Sequence, residues 1–183
     1  SLHTPYQVTK LIGELYTNYF HNLYGLPIAN ARFFNVFGPG EVPGRYRNVI
    51  PNFFYWAMNG KPLPITGDGT ETRDWTYVDD IISGLLAMGI KEEAIGEAFN
   101  LGSAKEHRVI DMANLVNKLA GNDARIVYAE RRNWDVKCKL LSSVDKAKRI
   151  LGYQPKMAFE DGLKNIHQWF SGNWDSIQKT AEF

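Results

Sequence analysis

The sequence predicts an α/β fold, and three observations carry that expectation. Segments with helical periodicity alternate with short apolar runs of strand length. Glycine and proline mark the junctions between them. No internal repeat or low-complexity tract interrupts the alternation.

The first predicted helix starts at residue 5. Thr4 can cap it, Pro5 suits the first helical position, and Gln7 completes a Thr-x-x-Gln capping box. Leu11, Ile12, Leu15, Tyr16, Tyr19, Phe20 and Leu23 give a broad apolar face before Gly25 and Pro27 end it. Residues 28–34 read as a strand, and a loop through Gly38-Pro39-Gly40 and Gly44 leads into a helix at 49–58. Its run Phe53-Phe54-Tyr55-Trp56 fits helix packing better than stacking on nucleic acid. A strand at 62–66 ends at Gly67-Asp68-Gly69, and a helix follows at 78–90. Asp79 and Asp80 open that helix, where carboxylates cap backbone donors and complement the helix dipole. A strand at 98–101, a helix at 109–120 and a strand at 125–128 come next, then helices at 144–151 and 159–170. Beyond Gly172 the tail is polar apart from Trp174 and is expected to fray.

Bulk properties exclude several function classes. A net charge of +1 over 183 residues offers no general attraction to nucleic acid or an anionic membrane. The longest largely apolar stretch, 81–90, is too short to span a bilayer. Cys138 stands alone, so no intrachain disulfide forms, and a reducing, cytoplasmic setting is expected. The histidines lack metal-ligand spacing, so no metal is expected.

Tyr6 and Lys10 lie four residues apart on the first helix, so both side chains share one face. A free phenol ionises near ~10, which makes it a poor base at neutrality unless a cation favours the phenolate. Such a pair can accept a proton from a sugar hydroxyl while hydride leaves to a nicotinamide. On its own the spacing is also common by chance.

The surrounding residues make the pair specific. Thr4-Pro5-Tyr6-Gln7-Val8-Thr9-Lys10 with Gly13-Glu14 resembles the catalytic helix of the extended short-chain dehydrogenase/reductase family. The segment Arg32-Phe33-Phe34-Asn35-Val36-Phe37-Gly38-Pro39 is similar to its Arg-x-x-Asn-x-x-Gly-Pro signature. Gly67-Asp68-Gly69 through Arg73-Asp74-Trp75-Thr76-Tyr77-Val78-Asp79-Asp80 resembles a third signature. Phe99-Asn100-Leu101-Gly102-Ser103 and Leu151-Gly152-Tyr153-x-Pro155 fit the C-terminal lobe. Within the family the resemblance is to NAD-dependent nucleotide-sugar epimerases and dehydratases.

The resemblance implies a role for each matching residue. Tyr6 and Lys10 would be catalytic, with Lys10 holding the nicotinamide ribose of NAD, and Phe34 and Val36 would pass near the nicotinamide. Asn35 and Arg73 would bind the diphosphate side of a nucleotide sugar, a task suited to a guanidinium fork. Arg132 and Asp135, in Glu-Arg-Arg-Asn-Trp-Asp, match an arginine and acid that hold the diphosphate and nucleotide ribose. One departure occurs at Ser143-Val144-Asp145-Lys146-Ala147, where the family's order of polar residues is reversed, although both can cap a helix.

A Gly-rich dinucleotide fingerprint is not present. The third glycine required after Gly38/Gly40 and Gly67/Gly69 falls on Pro43 and Thr72. The expected fold is therefore the remnant of a Rossmann-like parallel sheet followed by a small α/β substrate-binding lobe. Residues 1–60 would carry the sheet part and catalytic helix, 61–172 mainly the lobe, and 173–183 a tail. The expected function is the substrate-binding portion of a nucleotide-sugar 4-epimerase, inactive without an NAD-binding half. A 4,6-dehydratase or decarboxylase portion, or a non-catalytic sugar-nucleotide or protein-binding module, are the alternatives. An exposed sheet remnant is an association hazard, so a homo-oligomer, an element-swapped dimer or pairing with an N-terminal half is expected.

Overall fold

The computed structural model describes residues 4–131 and 138–183. Helix α1 (Pro5–Tyr24) starts as the capping residues dictate: Thr4 Oγ1 accepts from the Gln7 amide at 3.3 Å. Gly25 ends it in the left-handed conformation, φ 66°. The apolar face has no buried residue; Leu15, Tyr16, Leu23 and Tyr24 are all exposed. Two polar contacts tie α1 to strand β1 (Asn30–Phe33). The Arg32 guanidinium forks onto the Glu14 carboxylate, Nε to Oε1 at 2.8 Å, and Thr17 Oγ1 meets Asn30 Oδ1 at 2.9 Å.

The strand expected at 28–34 is shorter and is followed by a second strand. β1 ends at Phe33, and β2 (Val36–Phe37) leaves in another direction to join a different partner. The intervening Asn35 has φ 29°, a conformation asparagine tolerates better than a branched or bulky residue. The loop then enters α2 (Val49–Met58), whose Phe53 and Phe54 are buried as helix packing requires. β3 (Leu63–Thr66) follows, then β4 (Thr72–Arg73) and β5 (Thr76–Tyr77). α3 (Val78–Ile90), β6 (Ala98–Leu101), β7 (His107–Arg108) and α4 (Val109–Ala120) come next. The chain continues through β8 (Ile126–Ala129), β9 (Lys139–Leu140), α5 (Asp145–Leu151) and α6 (Phe159–Gly172).

Pairing is mainly parallel. β1 pairs with β6, β2 with β5, and β3 with β8. β4 lies between antiparallel β7 and parallel β9. The two-residue strands β2, β4, β5, β7 and β9 carry too few positions to show a period in sequence. One core gathers α2, α4 and α6 around Phe53, Phe54, Met112, Ile166 and Phe170. A second packs α3, β6 and α5 around Ile81, Phe99, Leu101 and Tyr153.

Three expectations are corrected. The tail is not frayed: α7 (Trp174–Thr180) buries Ile177, and Trp174 packs against Tyr55 at 5.8 Å between ring centroids. Its apolar residues find a surface on α2 that local polarity does not reveal. Asp80 does not cap its own helix. Its carboxylate is buried and accepts from the amides of Lys156 and Met157, at 2.8 and 3.1 Å, fixing the chain before α6. Ser143 and Asp145 do not cap α5; they bond to each other at 3.2 Å.

Candidate functional site

A cavity of about 180 Å³ lies beside the corner that follows β1. Asn35, Val36 and Phe37 form one wall, and Asn48, Val49, Ile50 and Phe53 at the start of α2 form another. β3 contributes Pro64 to Thr66, and Glu71, Arg73 and Trp75 complete the lining with Val109.

Asn35 is held at that edge from both sides. Its carbonyl accepts from the Thr76 amide at 3.2 Å, and its Nδ2 donates to the Asp74 carbonyl at 3.1 Å. Phe34 is anchored through its amide to the Leu101 carbonyl at 3.2 Å. Arg73 sits in β4 in register with His107 and Leu140, and its Nη1 donates to the Thr72 carbonyl at 3.0 Å. Behind it, Phe159 stacks with both Trp75 and His107, at 5.2 and 4.3 Å between centroids. Burial in this stack pushes the His107 imidazole below the ordinary histidine pKa, against the opposing pull of Asp74.

Asp74 is the hub of the region, and its carboxylate is completely buried. Oδ1 accepts from the Ser103 amide at 2.9 Å, the Ser103 hydroxyl at 2.6 Å and the Thr76 hydroxyl at 3.2 Å. Oδ2 accepts from the amides of Ala104 and Ser142, at 3.1 and 3.0 Å, and from the Ser142 hydroxyl. A buried charge persists when donors replace its lost hydration, and here they come from three separate segments. Gly102 allows the approach: a Cβ there would stand 2.2 Å from Ser142 Oγ.

Glu71 is also buried at the cavity, where its carboxylate accepts from Arg131 at 3.3 Å. Neither Glu71 nor Asp74 was singled out from sequence. The sequence signal for Asp74 is its place between Arg73 and Trp75 in the third signature, which does not reveal that its carboxylate is buried.

Asn35, Val36 and Arg73 are thus brought together at one cavity, with Phe34 beside it. Tyr6 and Lys10 are elsewhere, on the exposed face of α1, and neither lines the cavity. Lys10 Nζ lies 5.3 Å from the centroid of the Tyr6 ring, as the one-turn spacing requires. Arg132 and Asp135 lie outside the described residues. Among the described residues no group of side chains has the makings of a metal site, and no helix is long and apolar enough to cross a membrane.

Comparison with known proteins agrees with this architecture. Residues 1–102 match the family model described as "NAD dependent epimerase/dehydratase family". A trifunctional enzyme of Arabidopsis thaliana, named for UDP-glucose 4,6-dehydratase and two further activities, is 37% identical over 171 residues, 92% of this chain and 25% of its own length. An epimerase from Methanothermobacter thermautotrophicus superposes with a TM-score of 0.98 at 69% identity, over 100% of this chain and 55% of that one. The UDP-glucuronic acid 4-epimerase of Bacillus cereus, solved with UDP-glucuronic acid and NAD, gives a TM-score of 0.85 at 30% identity, over 92% of this chain and 53% of that one. The chain therefore spans about half the length of these solved structures. Other relatives are named as UDP-sugar epimerases and decarboxylases, and NAD is the cofactor bound in solved family members. With a matching family model over more than half its residues and a Rossmann-like framework shared with solved members, the chain belongs to the NAD-dependent epimerase/dehydratase family.

Proposed function

We propose that this chain supplies the substrate-binding portion of an NAD-dependent nucleotide-sugar 4-epimerase. The observation that carries the reading is the convergence of Asn35 and Arg73 on one cavity, both braced by the segment around Asp74. A guanidinium fork and a carboxamide donor suit a diphosphate, and the apolar wall of Val49, Ile50 and Phe53 suits a sugar or base edge. The cavity falls below the ~300–1,000 Å³ of pockets that enclose a whole ligand, so it takes one end of a nucleotide sugar.

The chain's own groups divide the remaining work. The exposed phenol of Tyr6 is accessible for proton exchange with a sugar hydroxyl, with the Lys10 ammonium one helical turn away beside its ring. That donor set, a phenol and an ammonium on one accessible helical face, also fits the ribose and nicotinamide of NAD. When bound, NAD supplies the hydride acceptor and donor. By the family resemblance, Phe34 and Val36 would pass near the nicotinamide, and Arg132 and Asp135 would hold the diphosphate and nucleotide ribose. The dehydratase reading draws on the Arabidopsis relative, whose name includes UDP-glucose 4,6-dehydratase.

Calorimetric titration with UDP tests the reading. The chain is expected to bind UDP, and Arg73→Ala to weaken binding about ten- to hundredfold, the loss of a charge-assisted hydrogen bond. Equal affinity in both proteins would remove Arg73 from the site. The chain alone is expected to turn over no UDP-sugar, and steady NAD-dependent epimerisation by these residues would refute that part.

A further inference from the structure

Helix α2 has two flanks with different neighbours. One lines the cavity through Val49, Ile50 and Phe53. The other is covered by residues 174–183: Trp174 packs on Tyr55, Gln178 Nε2 donates to Asn59 Oδ1 at 3.0 Å, and Ile177 is buried. At the end of the segment, Phe183 lies against both Tyr55 and Trp56, at 5.2 and 5.4 Å between centroids. Trp56 in turn contacts the cavity-lining Phe53 at 6.0 Å. A row of rings therefore leads from Phe183 to the cavity wall.

A second connection runs through the backbone. Gly44 and Glu182 form a parallel β-bridge, and the Arg45 amide donates to the Glu182 carbonyl at 2.7 Å. Gly44 is clamped from the α2 side as well: the buried Asn52 carboxamide accepts from the Gly44 amide at 2.8 Å and donates to its carbonyl at 3.0 Å. This loop ends at Asn48, which lines the cavity and donates to Glu41 at 2.8 Å. The loop before α2 has little regular structure, so its position depends on these tethers.

We propose that residues 174–183 are a positioning strap for the nucleotide-sugar site. Through Phe183 and the Gly44–Glu182 bridge, the strap fixes the loop before α2 and the first turn of that helix, so that Asn48 and Val49 are set for ligand before it arrives. Pre-ordering a wall of a site raises affinity by removing the cost of ordering it on binding. The proposal rests on the nucleotide-sugar reading of the cavity for its ligand, and on the contacts alone for its mechanics.

The two parts are tested separately on the whole chain. Amide hydrogen exchange without ligand reads the mechanics. Phe183→Ala is expected to speed exchange at Gly44 and Arg45 about tenfold, the loss of an aromatic packing contact. The amides of Ser103 and Ser142, which bond Asp74, serve as the unaffected reference. Gly44→Ala attacks the same bridge from the loop, because its Cβ would stand 3.0 Å from the Glu182 carbonyl oxygen. UDP titration reads the consequence: both variants are expected to bind UDP about tenfold more weakly, and Phe183→Tyr to restore affinity and protection. Unchanged exchange at Gly44 and Arg45 overturns the strap. Faster exchange with unchanged UDP affinity overturns its role in binding. If the unaltered chain binds no UDP, the ligand reading is what fails, and the exchange result still decides the mechanics.

Discussion

The side-chain amide of Asn35 donates to the main-chain carbonyl of Asp74 at 3.1 Å, while the Asn35 carbonyl accepts from Thr76 two residues further on. The corner at which the chain leaves one sheet for another is thereby fixed to the segment that carries Arg73. Two polar residues far apart in sequence meet at one cavity because the turn that follows Arg73, anchored through the Asp74 carboxylate, bonds Asn35.

Asp74→Ala is expected to destabilise the chain by on the order of 3–5 kcal/mol, because it strands three backbone amides and three hydroxyls around a buried void. Asp74→Asn is expected to be nearly as harmful, since its NH₂ would face donors. Urea unfolding of both variants checks this, and a loss under ~1 kcal/mol would contradict the hub.

His107 makes stability depend on pH near neutrality. Burial holds its folded pKa below the unfolded value, so the unfolded chain binds the extra proton first. The contribution is intact above ~6.5 and declines as the pH falls below it, towards the folded value. Unfolding free energies measured at several pH values across that range should fall with acid more steeply in the unaltered chain than in His107→Gln. Parallel curves would show that the imidazole is not buried neutral.

The Glu14–Arg32 fork is half exposed on the Arg32 side, which limits its worth to ~1 kcal/mol or less. The Arg32 hydrogen bond holds the Glu14 carboxyl below its usual pKa. Its stabilisation is therefore present above the ordinary carboxylate range and lost as the pH falls through the folded value. Arg32→Ala should cost no more than this at pH 7 and nothing at strongly acidic pH, by thermal unfolding at both.

Tyr6→Phe is expected to leave the unfolding midpoint unchanged, within ~0.5 kcal/mol, because the Tyr6 ring is largely exposed on α1. In an assembly competent for epimerisation, the same substitution should abolish turnover while UDP affinity stays constant. A large loss of stability would mean that the phenol is structural.

The sequence showed much of this directly. Thr4, Pro5, Gln7 and Gly25 act within a few residues of one another, and the helix they delimit appears where they place it. The Gly121 and Gly152 stops hold for the same reason, each taking the left-handed conformation that glycine adopts without strain. The motif residues Asn35 and Arg73 could be named from their neighbours in the chain. What they bond to could not, and Asp80 shows why: its partners are the amides of Lys156 and Met157, 76 and 77 residues away.

The chain's local chemistry determined where elements start and stop, which faces are apolar, and which residue types are available for phosphate and proton chemistry. Tertiary structure alone decided that Asp74 would collect donors from Ser103 and Ser142, 29 and 68 positions distant, and that the polar tail would fold onto α2. Capping and periodicity are short-range and survive in a linear reading. A buried carboxylate's partners are chosen by packing, because only the folded interior makes an unmatched charge costly enough to recruit them.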